Sequence, residues 1–359
     1  MSSGPSGRHG VAGSVPSDAE GIEAVLDALA GGSLLGVGPW SQFRPARIAS
    51  RSSVMFVERS GAEEGPSRLV VKRARTVPAQ TGFTDPVMAA QEFHALTRLD
   101  ALFREGDGSL RVPTPVQLFP ELGAFAMEYV PGRSLRDLLR YSSVLRPGPL
   151  MAGLAAAAEL LRRVHDLETF PDRPVDLCAE AEEVLAVAEK RLRPVGLRLP
   201  PRVSVALQRV PHTLVNCRQV WLHGDFYPTN IILADDGSTV CIDPALDTVG
   251  APEEDLARFV SVMSGGTWFA PEALAPPISW IRRQLEKELL KGYYGTTRYP
   301  PLFELRLLPQ LVHRWLHAGQ LARQHERRHL LPFRMRVVHA QFRLLMEQSA
   351  RRLERSLGL

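Results

Sequence analysis

Apolar and polar positions change period several times along the chain, and each change marks an element. Between Asp18 and Ala30, Ile22, Val25, Leu26 and Leu29 recur at helical spacing, with Ser17 as an N-cap and Gly31-Gly32 as a stop. From Phe43 the period falls towards two. Arg47 to Ala49, Val54 to Glu58 and Leu69 to Lys72 predict three antiparallel strands, the first two around Ser50-Arg51-Ser52-Ser53 and the third after the turn-like run Ser60 to Ser67. Helical spacing returns from Pro86 to Leu102 through Val87, Ala90, Phe93, Leu96 and Leu99. Val116 to Phe119 and Ala124 to Val130 then predict a hairpin about Glu121-Leu122-Gly123, ended by Pro131-Gly132.

Beyond this hairpin the period is mostly helical. A helix opens at Ser134, another runs from Leu150 to Leu167, and further stretches cover Cys178 to Leu192 and Pro201 to Val210. Two short apolar segments interrupt the helices, at Trp221-Leu222 and Ile231-Ile232-Leu233, with Cys241-Ile242 following. From Leu302 onward Leu307, Leu311, Leu316, Leu321, Val337, Phe342 and Leu345 recur at helical intervals. The pattern therefore predicts an α+β protein in which strands come first and helices follow.

Composition narrows the class. At 359 residues, 45% apolar and 23% charged, the chain reads as a globular protein of about two domains. The best apolar run, Gly153 to Leu161, is short, carries Glu159 and is followed by Arg162-Arg163, so no membrane-spanning segment is expected. Met1 to Glu20 is rich in Ser, Gly and Pro without an apolar core and reads as a flexible leader, not a secretory signal. Cys178, Cys217 and Cys241 lack metal-ligand spacing, which predicts reduced thiols and a cytoplasmic protein. The net charge is +4, and between Arg323 and Arg355 nine Arg face three Glu. A solvated helical face, attraction to an anionic acceptor and contact with a membrane surface all remain open for that tail. Nucleic acid is not expected, because no stacking aromatics are interleaved with the basic residues.

The chemistry concentrates in His223-Gly224-Asp225-Phe226-Tyr227-Pro228-Thr229-Asn230 and in Ile242-Asp243. One loop between short strands supplies a carboxylate and, five positions later, a carboxamide; the next strand delivers a second carboxylate. That is one candidate base and two oxygen ligands for a hard cation, which together suit phosphoryl transfer. A turn whose Asp and Asn bond their own backbone accounts for one such residue, not for the set.

These residues resemble the catalytic loop and metal motif of the aminoglycoside phosphotransferase family, small-molecule kinases of the protein kinase-like fold. The resemblance spans roughly Ile48 to Val260 and implies a two-lobed α+β fold, with a small, mainly antiparallel β N-lobe and a larger, mainly helical C-lobe. The expected divisions are 1–33, leader and short helix; 34–128, nucleotide-binding N-lobe; and 129–359, C-lobe with catalytic loop, metal site and acceptor-binding helices.

The resemblance implies ATP and Mg²⁺ as cofactors and a small-molecule hydroxyl as acceptor. Asp225 is the implied catalytic base, and Asn230 and Asp243 the implied metal ligands. Lys72 is implied to bind the α and β phosphates, with Glu92 holding it. Ser52 and Ser53 stand where the phosphate-binding turn of relatives carries glycines. Met127-Glu128-Tyr129-Val130-Pro131-Gly132 looks like the hinge, its backbone at Glu128, Tyr129 and Val130 facing the adenine edge. His165, His223 and Asp255 are implied to support the catalytic loop. Two alternatives stay open: a nucleotide-binding pseudokinase or regulatory module, and a kinase of a macromolecular or membrane-associated acceptor.

Overall fold

The computed structural model describes residues 24, 26–30, 40–48, 52–59, 67–74, 85–141, 147–265, 276–298, 300–324 and 331–359. The leader, the Ser17 cap, the turn at Ser50-Arg51 and most of the Ser60 to Ser67 run lie outside them. The chain divides into two compact units, Met1–Phe93 with Pro115–Tyr129, and His94–Thr114 with Val130–Leu359.

The first unit is built on an antiparallel sheet of order β1-β2-β3-β6-β5, from strands β1 (Trp40–Ile48), β2 (Ser52–Arg59), β3 (Arg68–Ala74), β5 (Pro115–Phe119) and β6 (Ala124–Glu128). Period-two alternation sends Met55, Val57, Leu69, Val71, Ala124 and Ala126 to one face, where they pack with Leu29 and Trp40. Burying each large member contributes about 1.5–3 kcal/mol. The opposite face carries Phe56, Val70, Lys72, Phe125 and Met127, joined by the cross-strand pairs Phe56 with Val70, Val70 with Met127 and Lys72 with Phe125. Helix α1 (Asp85–Arg104) runs across the division between the units; its Phe93 meets Phe125 edge to face at 6.1 Å. β2 begins two residues earlier than the sequence predicts, because Ser52 and Ser53 pair with Ala74 and Arg73.

Among the described residues, the second unit combines helices with three small sheets. β4 (Leu110–Arg111) pairs in parallel with β12 (Thr239–Cys241), which is why residues 94–114 group here and not with the first unit. β12 pairs with β11 (Ile231–Ala234), and β11 with β7 (Gly132–Ser134). Gly132 was expected only to end a strand. Its φ of 156° and its approach to the backbone of Leu233 and Ala234, where a Cβ would collide, let β7 pair closely with β11. Ser134 then caps helix α2 (Leu135–Tyr141): its Oγ accepts the Asp137 N–H at 3.2 Å and donates to Asp137 Oδ2 at 2.7 Å.

Helix α3 (Pro147–His165) follows. β8 (Arg173–Asp176) leads to α4 (Leu177–Leu192), α5 (Pro201–Gln208) and β9 (Leu214–Cys217), which pairs back with β8. Asp176 caps α4 by accepting the Cys178 N–H. These short strands escape the sequence pattern because four residues are too few for alternation to declare itself. After β10 (Val220–Trp221) come β11, β12 and β13 (Val249–Gly250), which pairs with β10. Helices α6 (Pro252–Gly265), α7 (Pro276–Tyr294), α8 (Pro301–Gln324) and α9 (Leu331–Leu357) complete the unit; α3 packs on α7, and α8 on α4, α6 and α9. Among the described residues, no helix is long and apolar enough to cross a membrane.

Candidate active site

The sequence-predicted residues fall in both units. In the first, Lys72 stands on β3 among apolar neighbours and Glu92 on the first half of α1. Lys72 Nζ lies 2.5 Å from Glu92 Oε1, with the two side chains 12% and 20% exposed. So low an exposure strengthens the attraction relative to a surface pair and fixes the ammonium group in place. Ser52 and Ser53 open β2. Glu128 ends β6 opposite Leu69, and the Tyr129 N–H donates to Arg68 O at 3.4 Å, which withdraws that donor from the expected hinge set. The Val130 N–H donates to no backbone or side-chain acceptor among the described residues.

In the second unit the loop from Leu222 to Thr229 joins β10 to β11. Its residues alternate in destination: His223 and Phe226 are fully buried, whereas Asp225 is exposed. The Phe226 ring packs on His223 at 5.5 Å and on Phe259 at 5.0 Å. Gly224 has a φ of 82°, and a Cβ there would come within 2.8 Å of Ala245 Cβ, so only glycine fits without strain. Pro228 O accepts the Arg136 N–H at 3.0 Å, tying the loop to the start of α2.

Beneath the loop is a buried polar support. Asp255, from the first turn of α6, accepts the His223 N–H at 2.6 Å and the Gly224 N–H at 3.1 Å, and lies 3.2 Å from His165 Nε2. Burial alone raises the Asp255 pKa; the His165 hydrogen bond and the neighbouring His165, His223 and Arg258 outweigh it and hold the carboxyl below its ordinary range. Arg258 also donates to Gly224 O. His165 Nδ1 meets the Tyr293 hydroxyl at 2.6 Å, consistent with an imidazole that donates to Asp255 through Nε2 and accepts from Tyr293.

His223 is buried scaffold. Its Nδ1 accepts the Asp225 N–H at 3.3 Å and its Nε2 lies 2.9 Å from Cys241 Sγ. Burial lowers its pKa to about 4, so the ring is neutral near neutral pH, and both nitrogens are engaged. Burial likewise pushes the Cys241 thiol well up, leaving it protonated.

Asn230, buried at the entry to β11, donates through Nδ2 to Asp225 O at 2.8 Å and to Asp225 Oδ2 at 2.9 Å. Both amide protons are thereby used. The amide oxygen receives no hydrogen bond among the described residues. The Ile242 N–H donates to Asn230 O at 2.9 Å, extending the β11–β12 pairing so that Asp243 follows at the end of the adjoining strand. Asp243 has a φ of 59°, and Leu246, three residues on, a φ of 45°. Left-handed backbone at a non-glycine residue stores about 1–3 kcal/mol and concentrates at functional loops.

The Asn230 amide oxygen and the Asp243 carboxylate, as oxygen donors, fit a hard cation only in part. Among the described residues, no three His, Cys, Asp or Glu converge on a metal position. One amide oxygen and one carboxylate suit a magnesium-type ion that completes its shell with phosphate oxygens and water.

One residue that sequence reasoning missed, Arg314, also belongs to this neighbourhood. The Arg314 guanidinium of α8 lies 5.3 Å from the Tyr227 ring centroid, and its Nε donates to Ser261 Oγ at 3.4 Å. Burial lowers the Arg314 pKa, opposed by Tyr227 and by the charge of Asp225. Its only signal in sequence was a place in an Arg- and His-rich helix.

A model of the phosphotransferase enzyme family (APH) matches residues 47–293. Among solved structures, a choline/ethanolamine kinase family protein from Mesorhizobium loti is similar, with 16% identity, 94% of this chain and 100% of that chain covered, and a TM-score of 0.52. The apoenzyme of a macrolide 2'-phosphotransferase from Brachybacterium faecium shows 16% identity over 90% of this chain and 98% of its own, with a TM-score of 0.47. A glucosamine kinase shows 18% identity over 92% of this chain and 82% of its own, with a TM-score of 0.45. Compared with curated proteins, the chain has no match. The likeness to the Mesorhizobium loti protein is one of fold, a mixed α+β arrangement with an antiparallel sheet first and helices after it. With its family model matched from residue 47 to 293, the chain belongs to the phosphotransferase enzyme family.

Proposed function

We propose that this phosphotransferase moves the γ-phosphoryl group of ATP to a hydroxyl of a small molecule such as a sugar, amino sugar or natural-product scaffold. The observation that carries the reading is the Asp225–Asn230 pair: an exposed carboxylate locked by a buried carboxamide, with Asp243 ending the next strand. Asp225 accepts a hydrogen bond from the acceptor hydroxyl and aligns its oxygen with the γ-phosphorus. As the new P–O bond forms and the bond to the ADP oxygen breaks, the hydroxyl proton passes to Asp225. A carboxylate of ordinary basicity serves, since positioning and charge neutralisation supply most of the acceleration.

The Asn230 amide oxygen and the Asp243 carboxylate are the groups that would hold Mg²⁺. That ion supplies neutralisation of the phosphate oxygens. Lys72, held by Glu92, is assigned to the α and β phosphates, Ser52 and Ser53 to the phosphate-covering turn, and the backbone of Glu128 and Val130 to the adenine edge. A cytoplasmic location belongs to the same proposal, because ATP is available there and the three cysteines are free thiols. A pseudokinase fits less well, since Asp225, Asn230 and Asp243 are all present.

The test is to incubate metabolite pools with the protein, ATP and Mg²⁺ and to search by mass spectrometry for compounds that gain one phosphoryl group. Phosphorylated products formed by the wild type and absent with Asp225→Asn support the reading. Equal products from both proteins, or none from either, overturn it.

A further inference from the structure

The active site leaves the basic C-terminal helices unexplained. Their charge is gathered in one place. Arg283 and Lys287 of α7, Arg298 ahead of α8, and Arg351, Arg352 and Arg355 of α9 line a single cavity of about 800 Å³. The other lining residues, Pro301, Gln348 and Ser356, are uncharged, so among the described residues no carboxylate faces this space. Residues 283 and 287, like 351 and 355, are four apart on their helices, a spacing that sets two like charges side by side and costs stability.

Among the described residues, an ion pair neutralises one of the six cations. Arg352 lies 3.2 Å from Glu286 Oε1 and 2.5 Å from Glu304 Oε1, and both glutamates are fully buried. Glu304 is thus engaged by Arg352, and Glu286 by both Arg352 and Arg282. Among the described residues, Arg283, Lys287, Arg298, Arg351 and Arg355 form no ion pair. Five unpaired cations around a concave space are an unbalanced charge that a ligand can complete.

We propose that this cavity is a second, non-catalytic site for a small soluble oligophosphate. Its volume lies in the range of small-molecule pockets. Arginine forks match phosphate oxygens two at a time, and several on converging helices favour clustered phosphates over one charge. Among the described residues no aromatic side chain lines the space, so these residues offer no stacking platform for a base, and recognition falls on the phosphates themselves. The concavity suits a compact anion better than a flat bilayer. No residue of the catalytic loop takes part, so the site stands independently of the proposed phosphoryl transfer.

Calorimetric titration of tripolyphosphate without Mg²⁺ tests this, using the full-length wild type, Lys72→Ala and a triple variant, Arg283→Gln, Arg351→Gln and Arg355→Gln. The expected result is one site of similar affinity in the wild type and Lys72→Ala, weakened about tenfold or more in the triple variant, with sulfate binding far more weakly. A melting temperature at or above the wild-type value establishes that the triple variant is folded; the single variants Arg283→Gln and Arg355→Gln, at exposed positions, give the same reading in smaller steps. Equal binding by the wild type and the triple variant overturns the proposal, as does loss of binding only in Lys72→Ala. Sedimentation with phosphatidylcholine vesicles containing phosphatidylglycerol, lost in the triple variant while free tripolyphosphate fails to bind, assigns the cations to a membrane surface and equally overturns it.

Discussion

Asn230 holds Asp225 twice, donating through one amide nitrogen to its carbonyl oxygen at 2.8 Å and to its carboxylate at 2.9 Å. The same contacts commit both amide protons and leave the amide oxygen without a hydrogen bond among the described residues. Asn230→Asp keeps an oxygen ligand while removing both donors and setting two carboxylates together. Its turnover is expected to fall about a hundredfold or more, even at saturating Mg²⁺. Near-wild-type turnover in a steady-state assay over a Mg²⁺ series sinks the positioning role.

Asp225→Asn keeps the size of the side chain and removes its basicity. Phosphoryl transfer should drop about a thousandfold, while ADP binding measured by calorimetry stays at the wild-type level. Loss of nucleotide binding in parallel places Asp225 elsewhere in the mechanism.

Glu92→Gln breaks the ion pair that positions Lys72. Nucleotide affinity is expected to weaken about tenfold, and Lys72→Ala by at least as much. Should the double variant be no worse than Lys72→Ala, the glutamate acts through the lysine; additive losses argue for separate roles.

His223 gives the protein an acid-sensitive point. Its folded-state pKa, near 4, lies below the ordinary histidine value of 6.5. The unfolded chain therefore binds a proton that the folded chain refuses between these values. Stability from this group is complete above about pH 6.5 and is lost as pH falls towards 4, by about 3 kcal/mol in total. Chemical denaturation at a series of pH values should show this slope in the wild type and a flatter one in His223→Asn; parallel curves remove His223 as the cause.

Asp255 is fully buried and faces two backbone N–H groups and His165. Asp255→Ala leaves these donors without an acceptor and should cost about 3–5 kcal/mol, read from urea unfolding. A loss below about 1 kcal/mol means that the catalytic loop is held by other contacts.

Much of this site was legible in the chain because its residues are local. The loop from His223 to Asn230 lies between two apolar segments, and Asp225, Asn230 and Asp243 span few enough positions for their spacing to declare a common loop and strand. The predicted strand from Leu69 to Lys72 is likewise present as part of β3, whose alternation puts Lys72 on the face of Val70.

Other features depend on residues far apart in sequence. Asp255 reaches back 32 positions to His223, and His165 meets Tyr293 across 128. Periodicity reports which face a residue occupies, not which distant group it meets, so the hydrogen-bond partners of His165 and the charge of His223 are set by packing. Residues 94–114 group with the helical unit because two-residue β4 pairs with β12, a strand too short to leave a pattern.

The C-terminal helices show the same division. Sequence established an excess of arginine, but a one-dimensional count is the same for a spread surface and a concentrated one. Only the packing of α7, α8 and α9 brings six cations around one cavity while engaging Glu286 and Glu304 with Arg352 and Arg282. The identities of the groups were written in the chain; their electrostatic environment was decided by tertiary contacts, because field strength depends on distance and burial.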